Sequence, residues 1–138
     1  MSVSSATPEV NLPVLDGVAC APNIGAAGRR MRRRFGQIGV VITVALTGAA
    51  MAFHWPWYAR AVVFVPAALA AVSLIQARRH TCFRRAAEGT IEHDDGSTSP
   101  APAADVAASR RVAVGIKRDA LLWGLAGGCV AMATALVR

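Results

Sequence analysis

The sequence lacks the short motifs that carry the common kinds of enzyme chemistry. It has no phosphate-binding loop, no HExxH zinc pair, no serine-nucleophile motif and no dinucleotide-binding glycine pattern. It has three cysteines, with no CxxC pair and no even-numbered disulfide framework. Its three histidines are scattered without the spacing of metal ligands. We therefore expect a protein that is not an enzyme and that holds no cofactor or metal.

Acidic residues are also scarce, and apolar residues are clustered. The chain has 8 Asp and Glu against 15 Lys and Arg, and 54% of it is apolar. The stretches 36–53, 60–77 and 119–137 contain no ionisable residue in their interiors. Each is close to the roughly 17–25 residues that cross a bilayer as a helix. The missing intramembrane charges argue against a pump or a proton relay, and the lengths predict three membrane spans.

The basic residues lie almost entirely on one predicted side of those spans. Arginine and lysine near the ends of spans stay in the cytoplasm, so the pattern predicts a cytoplasmic N-terminus, a C-terminus outside and a multi-pass protein of the inner membrane. The residues predicted inside are Arg29, Arg30, Arg32, Arg33, Arg34, Arg78, Arg79, Arg84, Arg85, Arg110, Arg111, Lys117 and Arg118, whereas Arg60 and Arg138 are outside.

These features together predict an all-α membrane protein. A transmembrane helical hairpin is joined to a third transmembrane helix, and an interfacial basic helix precedes the hairpin. Tryptophan and proline at 54–58 predict a tight turn between the first two spans. The predicted segments are a flexible tail at 1–23, the basic helix and hairpin at 24–85, a flexible cytoplasmic linker at 86–104, and a helix with the third span at 105–138.

The start of the hairpin carries a pattern of asparagine, glycine and arginine, namely Asn23, Gly25, Arg29, Arg32 and Gly36. This pattern resembles the N-terminal signature of the small YgaP-like two-helix transmembrane domains, which occur alone or beside rhodanese domains. The resemblance covers about residues 23–82 and implies a membrane hairpin, in a family without a settled activity. Asn23 or Gly25 is expected to open the basic helix.

The chain departs from that family in two places. The family often has an acidic residue where Gly28 stands, and its second helix is rich in glycine and carries a Cys-Pro pair. Here the second stretch has Pro66 and alanines instead. Thr81-Cys82 is similar to a later Thr-Cys pair of the family.

Two surfaces are candidates for binding. Arginines before the first span are expected to bind anionic lipid, with about 1 kcal/mol from each cation near the surface; they are Arg29, Arg30, Arg32, Arg33 and Arg34. Without a folded reading element, they do not predict nucleic-acid binding. Gly124 and Gly128 lie on one helix face and allow close packing, either on the chain's own hairpin or on another chain.

The sequence therefore favours a non-catalytic accessory or scaffold subunit, which contacts membrane lipids and other membrane protein subunits or a second copy of itself. The main alternative is a thiol-based redox, sulfur or metal-handling protein that uses Cys20 and Cys82, since cations near Cys82 would favour a thiolate. Two weaker alternatives are an oligomeric pore with a thinly polar lumen and a cleaved twin-arginine signal beginning at residues 32–34.

Overall fold

The computed structural model describes residues 22–136 and, by backbone alone, two short strands before them, β1 (Val14–Leu15) and β2 (Val18–Ala19). The protein is mostly helical. In chain order the remaining elements are α1 (Ala26–Ala52), a 3-10 helix (Ala59–Val63), α2 (Phe64–Arg78), α3 (Phe83–Glu88), β3 (Thr90–Glu92), β4 (Thr98–Pro100) and α4 (Ala103–Ala133).

Two helices in the described residues are long and apolar enough to cross a membrane, namely α1 and the continuous helical segment Ala59–Arg78. They match the first two predicted spans. The basic run is part of α1, so the predicted interfacial helix is not a separate element. No proline or glycine pair separates the arginines from the apolar residues, and the helix continues through both to the turn before Trp55-Pro56.

The third predicted span is not supported. Helix α4 is 31 residues long. Within the described residues, however, only α1 and Ala59–Arg78 are both long and apolar enough to cross a membrane. The apolar part of α4, Ala120–Ala133, rises about 21 Å, against about 30 Å for the hydrocarbon core. Lengthening that part toward the N-terminus takes in Asp119, Arg118 and Lys117, whose charges lower its apolar character.

The three long helices form a layer with α2 in the middle. Gly36 and Gly39 of α1 lie against Leu74 and Ala70 of α2, so the two helices are antiparallel. A methyl group at Gly39 would lie 2.9 Å from Ala70 Cβ, which shows how closely the backbones approach. On the other side of α2, α4 also runs antiparallel to it.

The segment 86–104, predicted as a flexible linker, contains regular structure instead. Strands β3 and β4 pair antiparallel, with Ile91 opposite Ser99. Gly89 ends α3 at φ 68° and Gly96 forms the turn at φ 87°, both in the left-handed region that glycine adopts without strain. Asp95 accepts hydrogen bonds from the backbone N–H and hydroxyl of Ser97. These local bonds turn a polar, linker-like composition into a hairpin.

Most of the large apolar side chains point away from the layer. The exposed fraction is 67% for Val41 and Val44 of α1 and 62% for Leu69 of α2. Cys129 of α4 is exposed as well. A soluble protein of this size rarely leaves such wide apolar faces open to water, so these faces require cover from lipid or protein.

Candidate functional site

Several elements meet at the end of the layer where α1 begins and α2 ends, which we call the basic end. Here α3 packs against α4, and Arg110 of α4 donates hydrogen bonds to the carbonyls of Ala86 and Ala87. The predicted lipid-binding arginines, the basic residues at the end of α2 and those of α3 all lie at this end. The fold thus gathers cations that are far apart along the chain.

Asn23 links three segments of the basic end. Its side chain accepts a hydrogen bond from the backbone N–H of Cys82 at 2.6 Å and donates one to the Cys82 carbonyl at 3.1 Å. Its backbone N–H donates to His80, and its carbonyl accepts from the N–H of Glu92. Only 2% of Asn23 is exposed. Asn23 therefore joins the entrance of α1 to the α2–α3 connection. Of the two residues expected to open α1, Gly25 is the N-cap residue and Asn23 is not.

The start of α1 is capped from the β3–β4 hairpin. Gly25 is the N-cap residue and offers no side chain, and the backbone N–H of Ala26 donates to Asp94 Oδ1 at 2.5 Å. A side chain at Gly25 would overlap the backbone carbonyl of His93. The carboxylate satisfies an otherwise free N–H and opposes the positive end of the helix dipole. The hairpin is thereby fixed to the first turn of α1.

The five predicted lipid-binding arginines divide into two groups. Arg29 Nη1 donates to the Ile24 carbonyl at 3.2 Å, and Arg32 Nη2 donates to Cys82 Sγ at 3.0 Å, so both are engaged within the protein. Arg30, Arg33 and Arg34 are exposed. Three of the five side chains are therefore available to a surface outside the protein.

Cys82 is a buried thiol beside a guanidinium. Only 3% of the residue is exposed. Arg32 Nε, close to the contact with Cys82 Sγ, is buried and has no partner within the described part of the chain. Cys20, the other cysteine of the predicted pair, lies outside the described residues. No group of three or more potential metal-ligating side chains occurs among those residues.

Two ion pairs hold the basic end together. Arg79 Nη2 lies 2.7 Å from Asp119 Oδ2 and joins α2 to α4, and Arg85 Nη2 lies 2.9 Å from Glu92 Oε2 and joins α3 to β3. Sequence reasoning missed both pairs. The one available signal was Asp119, an isolated acid between Arg118 and an apolar stretch.

His80 adopts a left-handed backbone conformation with φ 51° in the connection between α2 and α3. Partial burial lowers the pKa of His80, and the positive charges of Arg29 and Arg33 lower it further. The local potential therefore disfavours another cation and favours a neutral imidazole.

Gly124 and Gly128 pack on the chain's own hairpin. A methyl group at Gly124 would lie 2.7 Å from Ala68 Cβ, and one at Gly128 would lie 3.3 Å from Phe64 Cβ. Both glycines are buried. Of the two partners left open by the sequence, the structure therefore selects α2.

At the opposite end of the layer, Arg60 is 97% buried rather than a free cation. Its Nε donates to the Trp55 carbonyl at 3.0 Å, and Nη1 donates to Thr134 Oγ1 at 2.6 Å. The C-terminal ends of α1 and α4 both lie near this guanidinium, and helix C-termini carry partial negative charge. Arg60 thus ties the turn after α1 to the end of α4.

No protein-family model, no curated protein and no solved structure matches the chain. The resemblance to YgaP-like domains therefore stays a prediction. The fold defines a small helical protein with two helices that have the length and composition of membrane spans.

Proposed function

We propose that this chain is a small integral membrane protein of the inner membrane that serves as a non-catalytic accessory or scaffold subunit. The observation that carries the proposal is the combination of wide apolar faces around the layer with cations gathered at one end. A bilayer covers such faces, and the positive-inside rule puts the basic end in the cytoplasm.

In this arrangement α1 and α2 cross the bilayer as a hairpin, and the apolar half of α4 lies beside α2 within it. The contacts at both ends of α2 support that placement, since Arg79 pairs with Asp119 and Arg60 bonds to Thr134. A segment that is too short to span alone is accommodated when it packs along a helix that does span. Arg30, Arg33 and Arg34 then face the lipid phosphates.

Support for an accessory role comes from the small-residue surface that internal packing leaves free. Gly36, Gly39 and Gly124 are used against α2, whereas a methyl group at Gly48 would meet no described atom within 4 Å. Gly48 and Ala52 are spaced for close approach of another helix. We propose that this face of α1 contacts another membrane subunit or a second copy of the chain.

Membrane integration and orientation are tested by extraction and by cysteine labelling. We expect the full-length protein to remain in the membrane pellet after carbonate washing. Trp57 lies in the exposed turn at the end opposite the cations. A variant that lacks all native cysteines and carries Trp57→Cys should therefore react with an impermeant maleimide in intact cells. A matched variant retaining only Cys20 should react only after permeabilisation. Recovery in the aqueous fraction would refute integration, and the reverse labelling pattern would refute the orientation.

One contact favours the alternative of a thiol-based protein, the hydrogen bond from Arg32 to Cys82 Sγ. The contact gives the thiol a cationic neighbour, but burial limits the access of a reagent. In a variant retaining Cys82 as its sole cysteine, the accessory-subunit proposal expects slow thiol modification that accelerates on unfolding. Rapid modification of the folded protein would favour the thiol alternative.

A further inference from the structure

An apolar groove runs along one face of the layer. Its floor is α2, and its walls are Val40 and Val44 of α1 on one side and Trp123 of α4 on the other. The groove has a volume of about 300 Å³, and most of its lining side chains are aliphatic. It forms because Ala67, Ala70 and Ala71 keep the middle of the α2 surface low, while larger residues stand on the flanking helices.

Among the described residues that line the groove, Arg78 is the one cation. Arg78, the last residue of α2, lines the groove at the basic end. Its guanidinium has no carboxylate partner among residues 22–136, whereas the guanidinium of the neighbouring Arg79 pairs with Asp119. Arg33 stands seven residues before Val40 and therefore on the same face of α1, two turns closer to the cytoplasm in the proposed orientation.

We propose that this groove binds an anionic phospholipid of the cytoplasmic leaflet, with an acyl chain along α2 and the headgroup phosphate at Arg78. The proposal rests on the proposed membrane integration. Charge complementarity selects this occupant, since a purely apolar helix from another subunit would leave Arg78 unpaired at the membrane surface. An anionic amphiphile satisfies both the apolar floor and the guanidinium, and Arg33 adds a second positive charge near the headgroup.

Trp123 provides a probe inside the groove. It lies four residues after Asp119, or about 6 Å deeper along α4. The chain has 3 tryptophans, and replacing Trp55 and Trp57 with Phe leaves Trp123 as the sole tryptophan. This variant is reconstituted into vesicles that contain phosphatidylglycerol and phosphatidylcholine, in which one lipid at a time carries brominated acyl chains that quench tryptophan fluorescence.

We expect brominated phosphatidylglycerol to quench Trp123 more strongly than brominated phosphatidylcholine does. The difference should correspond to an enrichment of phosphatidylglycerol at the groove of about five-fold, the ratio that one cation near the surface produces. Arg78→Gln should reduce that preference clearly, since only the charge of Arg33 then remains near the headgroup. Arg84→Gln is the matched control, because Arg84 is an exposed arginine on α3 that does not line the groove. It should keep the preference.

Equal quenching by the two lipids, or an unchanged preference in Arg78→Gln, would overturn the lipid proposal. So would a lack of quenching by either lipid, which would indicate that a second copy or another helix covers the groove. Carbonate washing of the same vesicles separates the two proposals. Loss of the protein from the vesicles contradicts membrane integration and the groove proposal with it, whereas a retained protein without lipid preference contradicts the groove proposal alone.

Discussion

Replacing Gly124 with Leu is expected to separate α4 from α2. The new side chain would begin 2.7 Å from Ala68 Cβ and 3.0 Å from the ring of Phe64, at a helix contact with no room for additional atoms. Overpacking of this kind costs about 1–3 kcal/mol or more, and we expect about 3 kcal/mol because Ala68 is part of the α2 helix and cannot move independently. The loss should appear as a lower free energy of unfolding in detergent micelles.

Gly48→Leu is the matched control, since no described atom lies within 4 Å of a methyl group placed there. It should leave the free energy of unfolding within about 0.5 kcal/mol of the parent. If the face of α1 that contains Gly48 contacts another subunit, Gly48→Leu should also reduce the amount of that subunit that co-purifies with the protein. The packing of α4 on its own hairpin would be contradicted if Gly124→Leu changed only the oligomeric state and left the stability of the monomer intact.

Asn23→Ala is expected to open the basic end. The substitution removes both side-chain hydrogen bonds to Cys82 and leaves a buried N–H and a buried carbonyl without partners. Each unsatisfied buried group costs about 1–3 kcal/mol, so we expect a local loss of about 3 kcal/mol. Amide hydrogen exchange of a peptide covering residues 79–92 should then accelerate by about two orders of magnitude.

The control for this prediction is Cys82→Ala, which keeps the backbone N–H and carbonyl of residue 82 and removes only the thiol. We expect exchange in the same peptide to change by less than about ten-fold, because a single bond to a sulfur acceptor is lost. An equal acceleration in the two variants would show that the thiol contact with Arg32, rather than the Asn23 amide, holds the basic end together.

The pattern of asparagine, glycine and arginine at residues 23–36 shows how far sequence reasoning reached. Its spacing predicted the entrance to a membrane hairpin, but not what the side chains contact. Asn23 binds residue 82 and Gly25 lies under residue 93. Those partners are about sixty to seventy positions away, and no local rule for capping or periodicity relates residues at that separation.

The prediction of a flexible linker at residues 86–104 was wrong for a different reason. Serine, proline and acidic residues are typical of linkers, and the same residues form turns when a neighbouring surface holds them. Here Asp94 caps α1 and Glu92 pairs with Arg85. The hairpin is therefore stabilised by helix ends that the linear sequence does not place beside it.

By itself, the sequence determined the two long apolar helices, the turn between them and the excess of cations. Whether a helix is long and apolar enough to cross a bilayer depends only on the residues within that stretch of the chain. Only the tertiary structure decided that α4 packs on α2, that Asn23 joins the basic end and that Arg60 is buried. These outcomes depend on which surfaces meet. Small residues permit close contact with many helices. Which helix they pack against depends on the sum of contacts over the whole layer.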